Sequence, residues 1–214
     1  GATPITKIER NAFQNSGLET LEIPASVTAI EMTAFWNCTD LTSVTIRSRS
    51  TPNLVLGQQA FFDCSSLTTL TMEENSVTEI RLSAFQGCAM PDVTIPTSVT
   101  TIGNYAFYQN NQLQSVNITR TSSHINIGDS AFRSCPNLRN YSIIDPQFVN
   151  YGQDVFVSTG CNDQNLFTTF TTPGQWLCNC VRQQGPCSLS SPPVSTPPPS
   201  VSTPPPSVST PPVS

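Results

Sequence analysis

Charge is what this sequence lacks most. Only 11% of its 214 residues are Asp, Glu, Lys or Arg, against about 25% in an ordinary soluble domain. Lysine occurs once, at Lys7, and histidine once, at His124. Nucleic acid and anionic membrane surfaces both demand clustered Lys and Arg. A chain with formal net charge -5 offers no such cluster, so both are set aside as partners. No apolar run approaches the roughly 18 residues that span a bilayer, and no charged-then-apolar signal peptide opens the chain. Direct membrane insertion is therefore not expected of this segment. The chain opens on Gly rather than Met and reads as a fragment or processed form, so missing targeting signals say nothing about compartment. Ser, Thr, Asn and Gln fill the place of the missing charge, which predicts a neutral, hydroxylated surface.

What is abundant is repetition. An Ala-Phe pair recurs at Ala12-Phe13, Ala34-Phe35, Ala60-Phe61, Ala84-Phe85, Ala106-Phe107 and Ala131-Phe132, with a degenerate seventh at Val155-Phe156, at intervals of 22 to 26 residues. A few residues beyond each Phe lies an apolar anchor: Leu18, Leu41, Leu67, Met90, Leu113 or Leu138. Two polar residues follow, then an apolar-polar-apolar alternation, as in Leu41-Thr-Ser-Val44-Thr-Ile46. Period-two alternation of this kind marks a half-buried strand. A second apolar pair, such as Val27/Ile30 or Val99/Ile102, closes each unit. One unit cannot bury its apolar face alone; stacked units place like residues over like and pair their strands into a parallel sheet. Phe should fill the interior, with Ala where the turn packs tightly.

The pattern AFxxCxxLxxVxIPxSVTxI, nearly whole from Ala84 to Ile102 and again from Ala34 to Ile46, resembles the BspA-like class of leucine-rich repeats over about residues 5 to 157. The resemblance implies a mainly β repeat solenoid with a parallel sheet and short helical turns. It also implies a surface role, since that family is associated with adhesion of bacterial and protist surface proteins to host, matrix or other cells. The expected organisation is a solenoid over 1–157, a Cys-rich C-terminal cap over 158–187 and a Pro/Ser/Thr-rich stalk over 188–214.

The eight cysteines fall into two sets. Cys38, Cys64, Cys88 and Cys135 each lie four residues after the Ala of their repeat, where Ser16 and Asn110 stand in the first and fifth. They form one column, and identical positions in a ladder rarely aim side chains at each other as a disulfide requires. Buried free thiols are expected there. Cys161, Cys178, Cys180 and Cys187 follow the last repeat. The stretch Trp176-Leu-Cys178-Asn-Cys180 is similar to the Trp-x-Cys-x-Cys signature of disulfide-bonded caps on extracellular leucine-rich repeats, although Cys161 precedes it and Cys187 follows too soon. The resemblance implies two disulfides among these four, with three connectivities open.

The tail repeats VSTPPPS from Val194 and Val201 and VSTPPVS from Val208. Proline fixes φ and removes donors, which favours extended polyproline II at about 3.1 Å per residue. Three readings stand side by side: an O-glycosylated stalk, a disordered linker, or a ligand for an aromatic groove of the SH3 or WW kind. Asn-x-Ser/Thr sequons at Asn37, Asn117 and Asn140 are candidate glycosylation sites.

No constellation for catalysis or a metal emerges. His124 sits among Ser and Thr between the fifth and sixth repeats, and the cluster Glu73, Glu74, Glu79 lacks the spaced Asp/Asn ligands and Gly of a calcium loop. No catalytic residue, cofactor or metal is expected. The candidate site is instead the outward face of the strands: Thr20, Ser43, Thr69, Asp92, Ser115 and Asn140 in one column, Glu22, Thr45, Thr71, Thr94, Asn117 and Ser142 in the next. Short polar side chains on a rigid sheet suit an extended extracellular protein or glycan ligand, though they lack the Trp, Tyr and Arg that anchor tight interfaces. The leading expectation is a non-catalytic extracellular or cell-surface adhesion module. The alternatives are the ectodomain fragment of a membrane receptor, a receptor kinase included, with the stalk leading to a transmembrane helix, and an ice-binding face, for which the rows are too mixed, since within them only Thr69-Leu70-Thr71 is a Thr-x-Thr pair.

Overall fold

The computed structural model describes residues 3–118, 124–143 and 149–160, together with the two-residue strand 176–177. The strands in chain order are β1 (Lys7–Ile8), β2 (Thr20–Ile23), β3 (Ala29–Ile30), β4 (Ser43–Ile46), β5 (Leu54–Leu56), β6 (Thr69–Met72) and β7 (Val77–Ile80). They continue with β8 (Asp92–Ile95), β9 (Thr101–Ile102), β10 (Ser115–Ile118), β11 (Ile125–Ile127), β12 (Asn140–Ile143), β13 (Val149–Tyr151) and β14 (Trp176–Leu177). Each sequence repeat is one coil of a solenoid. The odd-numbered strands pair in parallel as one seven-stranded sheet, and the even-numbered strands line the other side as two sheets, β2-β4-β6 and β8-β10-β12-β14. Within those sheets the alternating strands expected from the sequence stack without slippage, Ser43 on Thr20 and Thr69 on Ser43.

The interruption between β6 and β8 has a local cause. The residue just before β4, β6, β10 and β12 donates its N–H to its counterpart one coil back: Thr42 to Glu19, Thr68 to Thr42, Gln114 to Pro91 and Arg139 to Gln114. In the fourth coil that residue is Pro91, which has no N–H and cannot donate to Thr68.

The turn segments that carry the Ala-Phe pairs are hydrogen-bonded but contain no helix. Residues two before and two after the Phe take left-handed φ near +55°, as at Thr33, Asn37, Gln59, Asp63, Tyr105 and Gln109. The amides then alternate in direction. In the second coil Thr33, Phe35 and Asn37 donate to Gln58, Ala60 and Phe62 of the next coil at 3.0, 2.8 and 2.7 Å. Between them, Ala34 and Trp36 close local turns onto Glu31 and Thr33. Every N–H in the segment is satisfied, and a third ladder runs the length of the solenoid. A non-glycine residue at left-handed φ costs about 1 kcal/mol, which the rungs of this ladder offset.

The core is a column of phenylalanines. Phe13, Phe35, Phe61, Phe85, Phe107, Phe132 and Phe156 stack face to face with centroids 5.0 to 5.6 Å apart and planes within 12°. The five inner rings are fully buried. Tyr141 seals the C-terminal end, edge-on to Phe156 at 4.7 Å.

The thiol column lies beside this stack. Cys38, Cys64, Cys88 and Cys135 are free and buried, as expected, and each does more than fill space. Their thiols donate to the carbonyls of Phe13, Phe35, Phe61 and Phe107 one coil back, at 3.0 to 3.2 Å. Asn110 performs the same task by amide, Nδ2 donating to the Phe85 carbonyl at 2.8 Å. Burial pushes the Cys64 and Cys135 thiols up to about 12, and Cys88 upward as well, so these groups are not nucleophiles near neutrality. Alkylation followed by mass spectrometry should therefore label these four only after denaturation. Labelling of any of them in the folded chain, or a disulfide between two, would contradict the assignment. Cys161, Cys178, Cys180 and Cys187, and the tail over 188–214, lie outside the described residues.

Candidate binding surface

The even-numbered strands place both predicted polar columns on the outer face. Thr20, Thr69, Asp92 and Asn140 are exposed and Ser43 and Ser115 half-buried in one; Glu22, Thr71, Thr94 and Asn117 are exposed and Thr45 and Ser142 half-buried in the other. Between them Val44, Val93 and Val116 point into the core. The period of two thus separates a hydroxyl face from the apolar interior. Cross-strand register puts Thr45 beside Glu22 and Thr71, and Asn117 beside Thr94 and Ser142. Some of this face is already engaged: the Ser115 hydroxyl donates to Asp92.

Glu22 is also committed. Arg47, the first residue after β4, reaches back to grip both carboxylate oxygens of Glu22 at 3.0 Å and forward to Glu73 Oε1 at 2.9 Å. The Ser48 amide donates to the other Glu73 oxygen at 2.8 Å. This triad ties three coils together along one margin of the sheet. The Arg47 guanidinium holds Glu22 below its ordinary value of 4.5, and the Ser48 N–H followed by Arg47 does the same for Glu73. Both acids have depressed folded values, so their contribution is complete above the unfolded value and is lost as pH falls through the folded ones. The difference in urea midpoint between the natural chain and Arg47→Met should thus be larger near about pH 7 than near about pH 3. An equal difference at both would contradict the pairing. Because the triad is exposed, salt should shrink the effect.

The sequons occupy different settings. Asn117 and Asn140 project from the strand face, exposed. Asn37 sits at a left-handed turn position, its Nδ2 donating to Asn15 at 2.8 Å, so a glycan there would have to displace that bond. His124 is exposed at the head of β11. Among the described residues no three His, Cys, Asp or Glu side chains gather as metal ligands, and no helix is long and apolar enough to cross a membrane.

A second surface lies on the turns. The residue after each core Phe points outward, and in the second, third and fifth coils it is Trp36, Phe62 and Tyr108. Trp36 and Phe62 lie 6.3 Å apart at a 33° tilt. Tyr108 meets Tyr105 edge-on at 5.5 Å, and Leu82 and Tyr105 are exposed nearby. With Met32, Gln14, Gln59 and Arg10, the Trp36–Phe62 pair lines an open groove of about 460 Å³. Its signal lies in the sequence, in the column one place past the Phe, where three of the repeats carry an aromatic residue.

A family model described as BspA type leucine rich repeat region matches in six copies over residues 6–87 and 51–165. Among solved structures, a leucine rich cell surface protein from Faecalibacterium prausnitzii is 33% identical, with a TM-score of 0.51, over 66% of this chain and 44% of its own. The chain thus spans less than half the length of that protein. A leucine rich repeat protein of T. pallidum is 24% identical over 65% of this chain and 76% of its own, with a TM-score of 0.44. No curated protein matches.

Proposed function

The chain belongs to the BspA-type leucine-rich repeat family, and from that premise we propose that it is a non-catalytic binding module of a cell surface, adhering to an extracellular protein or glycan. The observation that carries this reading is the register-locked strand face. Even-numbered strands of six successive coils repeat two columns of short hydroxyl, amide and carboxylate groups, held in register within β2-β4-β6 and within β8-β10-β12. Strands in a sheet stand about 4.8 Å apart, so the face offers hydrogen-bonding groups on a regular grid to an extended ligand. Thr20, Ser43, Thr45, Thr69, Thr71, Asp92, Thr94 and Ser115 are the contact residues in this reading, with Glu22 contributing through its pairing to Arg47. Outer-face residues of this size make few buried anchors, so single-site affinity should be weak and useful adhesion multivalent. The surface description of the F. prausnitzii relative supports this setting, and the four terminal cysteines are expected to pair in it.

The test is a panel of immobilised matrix proteins and surface glycans probed with the full chain. Binding that strengthens steeply with chain density is the expected result. Absence of binding at every density, or turnover of any panel member, would overturn the reading.

A further inference from the structure

The strand face lacks aromatic anchors and the turn face has them. Trp, Tyr and Arg dominate the binding energy of protein surfaces, and Trp36, Phe62, Tyr108 and Arg10 all stand on the turns. The Trp36–Phe62 groove is built on the third hydrogen-bonded ladder, so its rings are held by rungs at 2.8 Å, from Phe35 to Ala60 and from Phe61 to Ala84. Only one of its lining residues, Arg10, is charged, and the Arg10 guanidinium rests on the Met32 sulfur at 3.4 Å. Amides of Gln14 and Gln59 at the rim supply donors. An aromatic cleft flanked by side-chain amides is the setting in which polyproline II segments dock, because that helix is pre-formed and leaves its carbonyls unbonded.

The same chain carries such segments. We propose that this groove is the docking site for a proline heptad of the chain's own tail, Val194–Ser200. The dimensions agree: one polyproline II turn advances about 9.3 Å, close to the roughly 9.6 Å of two solenoid coils. A proline ridge lying along the axis therefore spans the groove from Gln14 of the first coil to Phe62 of the third, two coils on. The heptad is uncharged, as the groove nearly is.

Reach is ample. Leu177 pairs with Ser142 in the sixth coil, and the groove lies four coils away, about 19 Å along the axis. Twenty residues lead from Leu177 to Pro197, enough for up to about 66 Å when extended. A tethered segment at this range has an effective concentration of about 1 mM, so even an affinity near 100 μM leaves the groove occupied about ten to one. At micromolar protein a second copy's tail competes poorly with the chain's own. Docking of the first heptad leaves the later ones to serve as a spacer.

Trp36 reads out the contact directly. The chain has two tryptophans, and Trp176→Phe leaves Trp36 as the only emitter. In that full-length background Trp36 should be shielded from acrylamide. Changing Pro197, Pro198, Pro199, Pro204, Pro205, Pro206, Pro211 and Pro212 to Ser should raise its quenching about twofold, as a largely filled groove becomes empty. Added peptide VSTPPPSVSTPPPS should restore shielding to the tail variant, but not when Phe62→Ala is also present. Quenching unchanged by the proline substitutions, or not reversed by the peptide, would overturn the proposal. Shielding that disappears on dilution from micromolar to nanomolar protein would also overturn it, since it would assign the contact to a second copy.

Discussion

Replacing Phe85 by alanine is expected to lower unfolding free energy by about 3 to 5 kcal/mol, the usual cost of emptying a large buried site. Phe85 is fully buried at the middle of the ring column, stacked on Phe61 at 5.2 Å and Phe107 at 5.4 Å. Its loss removes contacts on both sides at once. In a solenoid, stability resides in interfaces between neighbouring coils, so a gap in the centre should also divide the cooperative unit. A urea titration should show a lower midpoint together with a shallower slope, since less surface is exposed in each step. Thr71→Ala, on the exposed face, should stay within about 0.5 kcal/mol of the natural chain. Equal losses from the two changes would mean that the inside and outside of the strands have been exchanged.

The second large effect concerns Asn110. Its Nδ2 serves the buried Phe85 carbonyl, while its own Oδ1 is buried without a hydrogen-bond partner. Asn110→Ala leaves the carbonyl without that donor and should cost about 1 to 3 kcal/mol. Asn110→Cys places in the fifth coil the donor used by the second, third, fourth and sixth, and removes the orphan oxygen. It should recover most of the loss. Chemical denaturation of the two variants side by side checks this. A cysteine variant as unstable as the alanine one would show that the column is packing alone, with no role for the thiol hydrogen bond.

The strands and the core were legible in the chain because burial acts on single residues with fixed period. Val44, Ile46, Val93 and Ile95 alternate with polar neighbours, and one-sided burial leaves no second register for them. The repeat then carried that assignment from coil to coil. Backbone conformation was less legible. Nothing in the apolar pattern marks Thr33 or Tyr105 as left-handed, for neither favours that region; the ladder to the next coil imposes it, and with it a turn where short helix was expected. Pro91 had a readable consequence, the missing N–H, but only once its row of donors was known.

The candidate site was legible in outline and incomplete in content. Period two placed the hydroxyl columns outward, yet Glu22 looked available when it is held by Arg47. The triad's members are separated by 25 and 26 residues, one repeat each, a spacing that identifies axial ion pairs in any solenoid. Trp36 and Phe62 escaped because a residue beside a repeated core Phe is read as part of the core, whereas the turn buries its Ala and Phe and leaves the next residue partly exposed.

We propose that recognition resides on the strand face of the solenoid. It is tested most directly by the full chain carrying Thr71→Arg with Thr94→Arg. Both residues are exposed, on β6 and β8 at either side of the break between the two sheets, so folding should be unaffected while two long charged side chains cover the middle of the face. For any panel partner that the natural chain binds, the dissociation constant measured at equal chain density should rise about tenfold or more, roughly 1.4 kcal/mol. An unchanged constant for this variant, with binding lost instead on Trp36→Ala, would contradict the claim and move recognition to the turns.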